Sequence, residues 1–337
     1  MYYQGKESNS YITAKPKHQT SFIQSQYTLT QPIMSQLLFP TTPAAPDPDT
    51  HSDVLTKDVP LNSINNTSLR IFLPKKALQS SSHSQKLPII VYYHGGGFIY
   101  LSASSTINHD FCFKLAEILF VVVVSVEYRL APVARLPAAY NDGVEALQWL
   151  RTTDDKWLRE FGDITKCFLM GTSAGGNMVY HVGLHVLHTT IDHFDFDPFK
   201  IRGLILHHPF FGGTQRTESE LRLINDQVLS LKSSDMMWEL ALPEGEDRDH
   251  KYCNPTVVDE DVDKCFDEIK RLRWKVMVTG CDGDPLFDRQ VGFVEMLRRK
   301  GVVVEEHFGD GYHGMELLDL SKADPLFVRV KDFIYQC

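Results

Sequence analysis

From Leu87 onward the chain alternates short, nearly unbroken apolar runs with longer stretches whose apolar residues recur on one helical face. The runs are Leu87–Tyr93, 120–128, 167–170, Ile201–His207, 274–279 and 302–308, each short and most of them rich in Val or Ile. Such runs predict strands buried on both faces. Between them, residues 108–119, 140–151, 174–187, 289–300 and 322–334 predict helices, and in the fourth Val291, Val294 and Leu297 share one face. Strands alternating with helices predict an α/β fold, a parallel sheet covered on both sides.

Other segments break the pattern. Residues 1–40 show no period and read as an N-terminal arm or cover. The Pro-rich stretch 41–49 reads as an extended linker, 68–73 as a short strand and 79–85 as a surface loop. Residues 210–270 are too long for a simple connection and carry an amphipathic piece over 234–242. They read as an inserted cap over the C-terminal edge of the sheet, where open α/β sheets bind ligands.

Charge and cysteine usage narrow the function classes. The 337 residues carry a net charge of -9 and no long run of Lys or Arg, which argues against nucleic acid or an anionic membrane as partner. Cys112, Cys167, Cys253, Cys265, Cys281 and Cys337 form no C-x-x-C pair and are expected as reduced thiols, with Cys112 and Cys167 in the core. The apolar run 119–126 is too short to cross a bilayer. No secretory leader is read at the start, so the cytoplasm is the expected location.

Gly171-Thr172-Ser173-Ala174-Gly175 is the sharpest motif. It is a G-x-S-x-G between a predicted strand and a predicted helix, the setting of a nucleophile elbow. The turn lifts the Ser173 hydroxyl to a helix N-terminus, whose dipole favours developing negative charge. His94-Gly95-Gly96-Gly97-Phe98 follows another strand and offers backbone N–H groups to a substrate oxygen. Gly96, Gly97 and Ala174 are the candidate oxyanion donors. His313 lies between the last strand and the last helix, in Gly309-Asp310-Gly311-Tyr312-His313-Gly314, and is the candidate base. Asp284 lies just past the strand 274–279 and is the candidate orienting acid, with Asp282 and Asp288 as competitors. The order Ser, Asp, His is that of α/β-hydrolases.

Two other patterns are set aside. Gly309-x-Gly311-x-x-Gly314 fits a dinucleotide fingerprint but leaves no room for the next strand and its acid. Asp282-Gly283-Asp284 hints at a calcium loop, yet Phe287 and Phe293 stand where its Gly and Glu belong. No H-E-x-x-H or P-loop is present, so neither metal nor cofactor is expected.

Taken together, Tyr92-Tyr93-His94-Gly95-Gly96-Gly97-Phe98, the stretch 126–132, Arg135-Leu136-Pro137-Ala138-Ala139-Tyr140, Gly171 to Asn177, 216–225, 248–255 and 284–289 make the sequence similar to a known family. It resembles the plant carboxylesterases of the hormone-sensitive-lipase-like group of α/β-hydrolases. The resemblance runs from about residue 40 to the end. It implies one hydrolase domain over 41–337, an eight-stranded, mostly parallel sheet, a cap at about 210–270 and an N-terminal cover. It also implies Asp284 rather than its competitors as the acid of a Ser173–His313–Asp284 triad, oxyanion donors at Gly96, Gly97 and Ala174, and hydrolysis of small esters without a cofactor.

Thr172, Glu127 and Val133 depart from the family's usual residues, as does the chain start. Two other functions are carried by relatives of this scaffold. One is a lyase or cyclase of specialised metabolism. The other is gibberellin binding, in receptors that lack the catalytic histidine that His313 would supply. Neither the natural substrate nor the oligomeric state is legible in the sequence.

Overall fold

The computed structural model describes residues 39–49, 51–79, 86–191 and 197–336. Almost all of the N-terminal arm, most of the predicted loop at 79–85, and Cys337 lie outside the described residues.

The eight strands are β1 (Val54–Asn62), β2 (Thr67–Pro74), β3 (Leu87–Tyr93), β4 (Val122–Glu127), β5 (Gly162–Thr172), β6 (Ile201–His207), β7 (Lys275–Cys281) and β8 (Val304–Gly309). They form one sheet in the order β1-β2-β4-β3-β5-β6-β7-β8. β1, β2 and β4 pair antiparallel, and all pairs from β4 to β8 are parallel.

The helices are α1 (Lys76–Gln79), α2 (Thr106–Leu119), α3 (Ala138–Thr152), α4 (Lys156–Phe161), α5 (Ala174–Ile191), α6 (Glu218–Arg222), α7 (Leu231–Ala241), α8 (Glu260–Leu272), α9 (Phe287–Arg299), α10 (Met315–Leu318) and α11 (Asp324–Tyr335).

Strand pleating explains why the apolar runs are continuous. In β3, Ile89, Val91 and Tyr93 join the core beneath α3, α5 and α9, while Ile90 and Tyr92 join the core beneath α2 and α11. Val122, Val124 and Val126 of β4 face the first layer, and Val123 faces the second. Each run is thus two half-strands read together, and polar residues find little place on either face.

β1 was not apparent in the pattern. It holds Lys57, Asp58 and Pro60, and it is an edge strand with β2 as its one partner, where a proline costs little. The Pro-rich stretch after residue 40 is tied down at several points. Thr42 N–H reaches Ser104 O, and Ala45 N–H reaches the Thr56 hydroxyl.

Three helices lie between β6 and β7. α6 opens with a capping box in which the Thr217 hydroxyl accepts from Glu220 N–H and the Glu220 carboxylate accepts from Thr217 N–H. α8 starts at the Asp259 cap and buries Cys265, Phe266 and Ile269, packing on α5. The end of this connection, from Glu260, therefore belongs to a helical layer of the sheet. Among the described residues, no helix is long and apolar enough to cross a membrane.

Candidate active site

Ser173 stands between β5 and α5 with φ 57°, in the left-handed region. A side chain seldom enters that region unless its surroundings hold it there. Its N–H donates to His207 O, and its carbonyl accepts from Asn177 N–H and Phe210 N–H. The two motif glycines are required by close approach. A β-carbon at Gly171 would run into the Gly175 carbonyl, and one at Gly175 would run into the Tyr93 carbonyl.

The three residues proposed from the sequence converge. His313 Nε2 lies 2.9 Å from Ser173 Oγ, and His313 Nδ1 lies 2.8 Å from Asp284 Oδ2. Asp284 is fully buried, while Ser173 and His313 keep 9% and 6% exposure, enough to face a substrate. With Nδ1–H donating to the carboxylate, Nε2 is free to accept the serine proton. Asp282 and Asp288 are elsewhere: Asp282 donates its N–H to Gly309 O, and the Asp288 carboxylate accepts from Ser219 N–H.

The electrostatics follow from this contact. Burial drives the Asp284 carboxyl upward, but the charge of His313 and hydrogen bonds from His208 and His313 outweigh it. Asp284 is held well below the ordinary carboxylate range. Burial pushes His313 down, yet the Asp284 charge and hydrogen bond, with Asp226 and Glu316 further off, raise it above the ordinary imidazole value.

The glycine-rich loop after β3 turns beside the serine. Gly96 and Gly97 both have positive φ, at 108° and 60°. Among the described residues, no hydrogen bond engages the N–H groups of Gly96, Gly97 or Ala174. The loop is fixed from below by a residue the sequence reading did not single out. The Tyr128 hydroxyl donates to His94 O at 2.8 Å, and its ring stacks on the His94 imidazole at 4.1 Å. From above, Met237 of α7 packs so closely on Gly97 that a β-carbon there would collide with its thioether. Trp238 stacks on Phe210 at 4.6 Å, and Arg216 and Arg248 both pair with Asp235 at 2.6 Å. Helix α7 is thus pinned over the loop.

Three more side chains around Asp284 escaped the sequence reading. His208 Nδ1 lies 3.0 Å from Asp284 Oδ2, the Gln290 amide donates to the same oxygen at 2.9 Å, and Glu316 approaches the His207–His208 pair. A faint signal was present, since His207-His208-Pro209 directly follows a predicted strand. The triplets His207–His208–Glu316 and His208–Asp284–His313 each bring ligand atoms within 4.8 Å of one another, a spacing that could suit a cation. Contacts among these same side chains already account for that closeness: His208 and His313 meet Asp284 at hydrogen-bond distance, and Glu316 stands at ion-pair distance from His207 and His208.

Comparison with known proteins agrees with this architecture. Residues 90–316 match the model of a family described as having the alpha/beta hydrolase fold. Carboxylesterase 20 of Arabidopsis thaliana is 51% identical over 299 residues, covering 88% of this chain and 90% of that protein. The 3-O-acetylpapaveroxine carboxylesterase CXE2 of Papaver somniferum is 48% identical over 297 residues, covering 86% and 93%. Among solved structures, the Pyrobaculum calidifontis esterase superposes with a TM-score of 0.66 over 96% of this chain and 95% of that one, at 22% identity, a likeness of fold. On fold, family match and these relatives together, the chain belongs to the plant carboxylesterases of the α/β-hydrolase family.

Proposed function

We propose that the protein hydrolyses small carboxylic esters through an acyl-enzyme on Ser173. The observation that carries this reading is the unbroken contact from Ser173 Oγ to His313 Nε2 and from His313 Nδ1 to Asp284, at 2.9 and 2.8 Å. His313 takes the proton as Ser173 Oγ attacks the ester carbonyl, and Asp284 stabilises the imidazolium. The N–H groups of Gly96, Gly97 and Ala174 receive the oxyanion, and each such donor is worth roughly 3–4 kcal/mol. His313 then protonates the departing alkoxide. Water, deprotonated by the same imidazole, attacks the acyl-enzyme and releases the acid.

Met237 over Gly97 and the Phe98–Trp238 contact at 5.8 Å support a preference for a short acyl group. The poppy relative is named for an O-acetyl compound, which makes acetyl esters the first substrates to try. Helix α7, held over the oxyanion loop, serves as the working part of a cap. The described cysteines are all free and buried, which fits the reducing cytosol as the place of action.

The test is hydrolysis of p-nitrophenyl esters together with fluorophosphonate labelling. The protein is expected to cleave acetate and butyrate faster than long-chain esters and to take up the label. Ser173→Ala should lose at least about a thousandfold in kcat and all labelling while keeping its fold. An alanine variant as active as the parent would remove the nucleophile assignment.

A further inference from the structure

Asp284 has more partners than orienting one imidazole requires. Its Oδ2 faces His313 Nδ1, His208 Nδ1 and the Gln290 amide, and its Oδ1 accepts from Leu286 N–H at 2.8 Å. His208 comes from the chain just past β6 and is buried, with φ 45°. Its far nitrogen, Nε2, lies 3.6 Å from Glu316 Oε2, three residues beyond His313 in the chain. Glu316 Oε2 is also 3.3 Å from His207 Nε2, whose Nδ1 is 2.6 Å from the Thr279 hydroxyl. The segment bearing His313 therefore meets Asp284 directly through His313 and brings the Glu316 carboxylate near His208.

Resting on the serine-hydrolase reading above, we propose that His208 is a positioning residue for ester hydrolysis, its Nδ1–H holding Asp284 Oδ2 toward His313. The physical need is rotational. A carboxylate turns easily about its terminal torsion, and the Leu286 N–H fixes one oxygen only. Two side-chain donors to the other oxygen keep it aligned with His313 Nδ1.

The same bonds spread the charge of Asp284. With one donor removed, the carboxylate pulls harder on the His313 proton, and His313 stays protonated to a higher pH. The titratable groups facing His208 are Asp284, Glu316, His207, His313 and Cys281, the last with its Sγ 4.0 Å from Nδ1. Burial favours protonation of Glu316, but the neighbouring His207 and His208 hold it ionised down to about 2. The Glu316 carboxylate is therefore charged across the working range.

The experiment compares kcat, KM and the pH dependence of kcat/KM on p-nitrophenyl acetate for the full chain and three variants. His208→Ala removes both contacts. His208→Asn keeps a nitrogen on Cγ, where Nδ1 stands, and asparagine tolerates positive φ. We expect His208→Ala to lower kcat by about tenfold to a hundredfold with KM nearly unchanged, and to move the acid limb to higher pH. His208→Asn should recover most of kcat and return the limb. Glu316→Gln, which removes a negative charge near His313, should move the limb to lower pH.

An alanine variant with the kcat and acid limb of the parent would overturn the proposal. A folded asparagine variant as impaired as the alanine one would do the same. Should His208→Ala fail to fold, His208→Leu, which fills the space without a donor, takes its place under the same criteria. A parent chain that neither labels nor hydrolyses would sink the hydrolase reading and this one together. An active parent with an indifferent His208 sinks only this one.

Discussion

A serine hydroxyl is a poor nucleophile, and in the proposed reaction what changes that is a single imidazole whose protonation is set by its neighbours. The sign of the pH dependence follows. His313 is raised above the ordinary imidazole value of about 6.5 by Asp284, despite burial. It must be neutral to accept the Ser173 proton, so kcat/KM for a short-chain ester should fall as pH drops through a pKa above that value. Asp284→Asn removes the main raising influence. The residual activity should fall by about 10⁴-fold in kcat, and its acid limb should lie at lower pH than the parent's. A pH–rate profile of both proteins checks this, and coincident limbs would contradict it. Ser173 and His313 stand out in the sequence as candidates because each sits in a motif beside a strand end, whereas only the family resemblance separates Asp284 from Asp282 and Asp288. His208, Gln290 and Tyr128 do not stand out, because they act through contacts between loops far apart in the chain, which no local spacing encodes.

At the scale of elements, the strands read well where both faces are buried and poorly where one is not. β3 and β6 have the bounds that their apolar runs predict. β1 was invisible because an edge strand can carry Lys57, Asp58 and Pro60 without losing its partner. The amphipathic piece at 234–242 does form a helix, α7, but its placement depends on ion pairs from two distant arginines. That suggests a direct test of the cap. Asp235→Ala leaves Arg216 and Arg248 without their common partner, so α7 and Met237 should loosen over Gly97. The expected result is a KM for p-nitrophenyl butyrate raised several-fold, against a smaller change in kcat, with fluorophosphonate labelling of Ser173 retained. Met237→Ala should widen the same region without loosening the helix, improving longer acyl chains relative to acetate. Unchanged chain-length preference in both variants would mean that α7 does not border the acyl group.

The whole molecule places neutral imidazoles deep in its layers, and this gives its stability a pH dependence separate from catalysis. His94 opens the glycine-rich loop, stacked on Tyr128, and His181 lies on α5, stacked on Tyr140 at 4.7 Å. Burial lowers them to about 4 and about 3. In the unfolded chain each would take a proton near 6.5, whereas in the folded protein each stays neutral well below that. The unfolded state therefore binds more protons in this window, and stability must fall as pH drops from about 6.5 toward 4. One such group contributes a slope of about 1.4 kcal/mol per pH unit. His181→Phe keeps an aromatic ring against Tyr140 and removes the titration. Urea unfolding at pH 7.5, 6, 5 and 4.5 should show the variant losing less stability than the parent by about that slope below pH 6.5. Parallel losses in the two proteins would mean that His181 is protonated in the folded state.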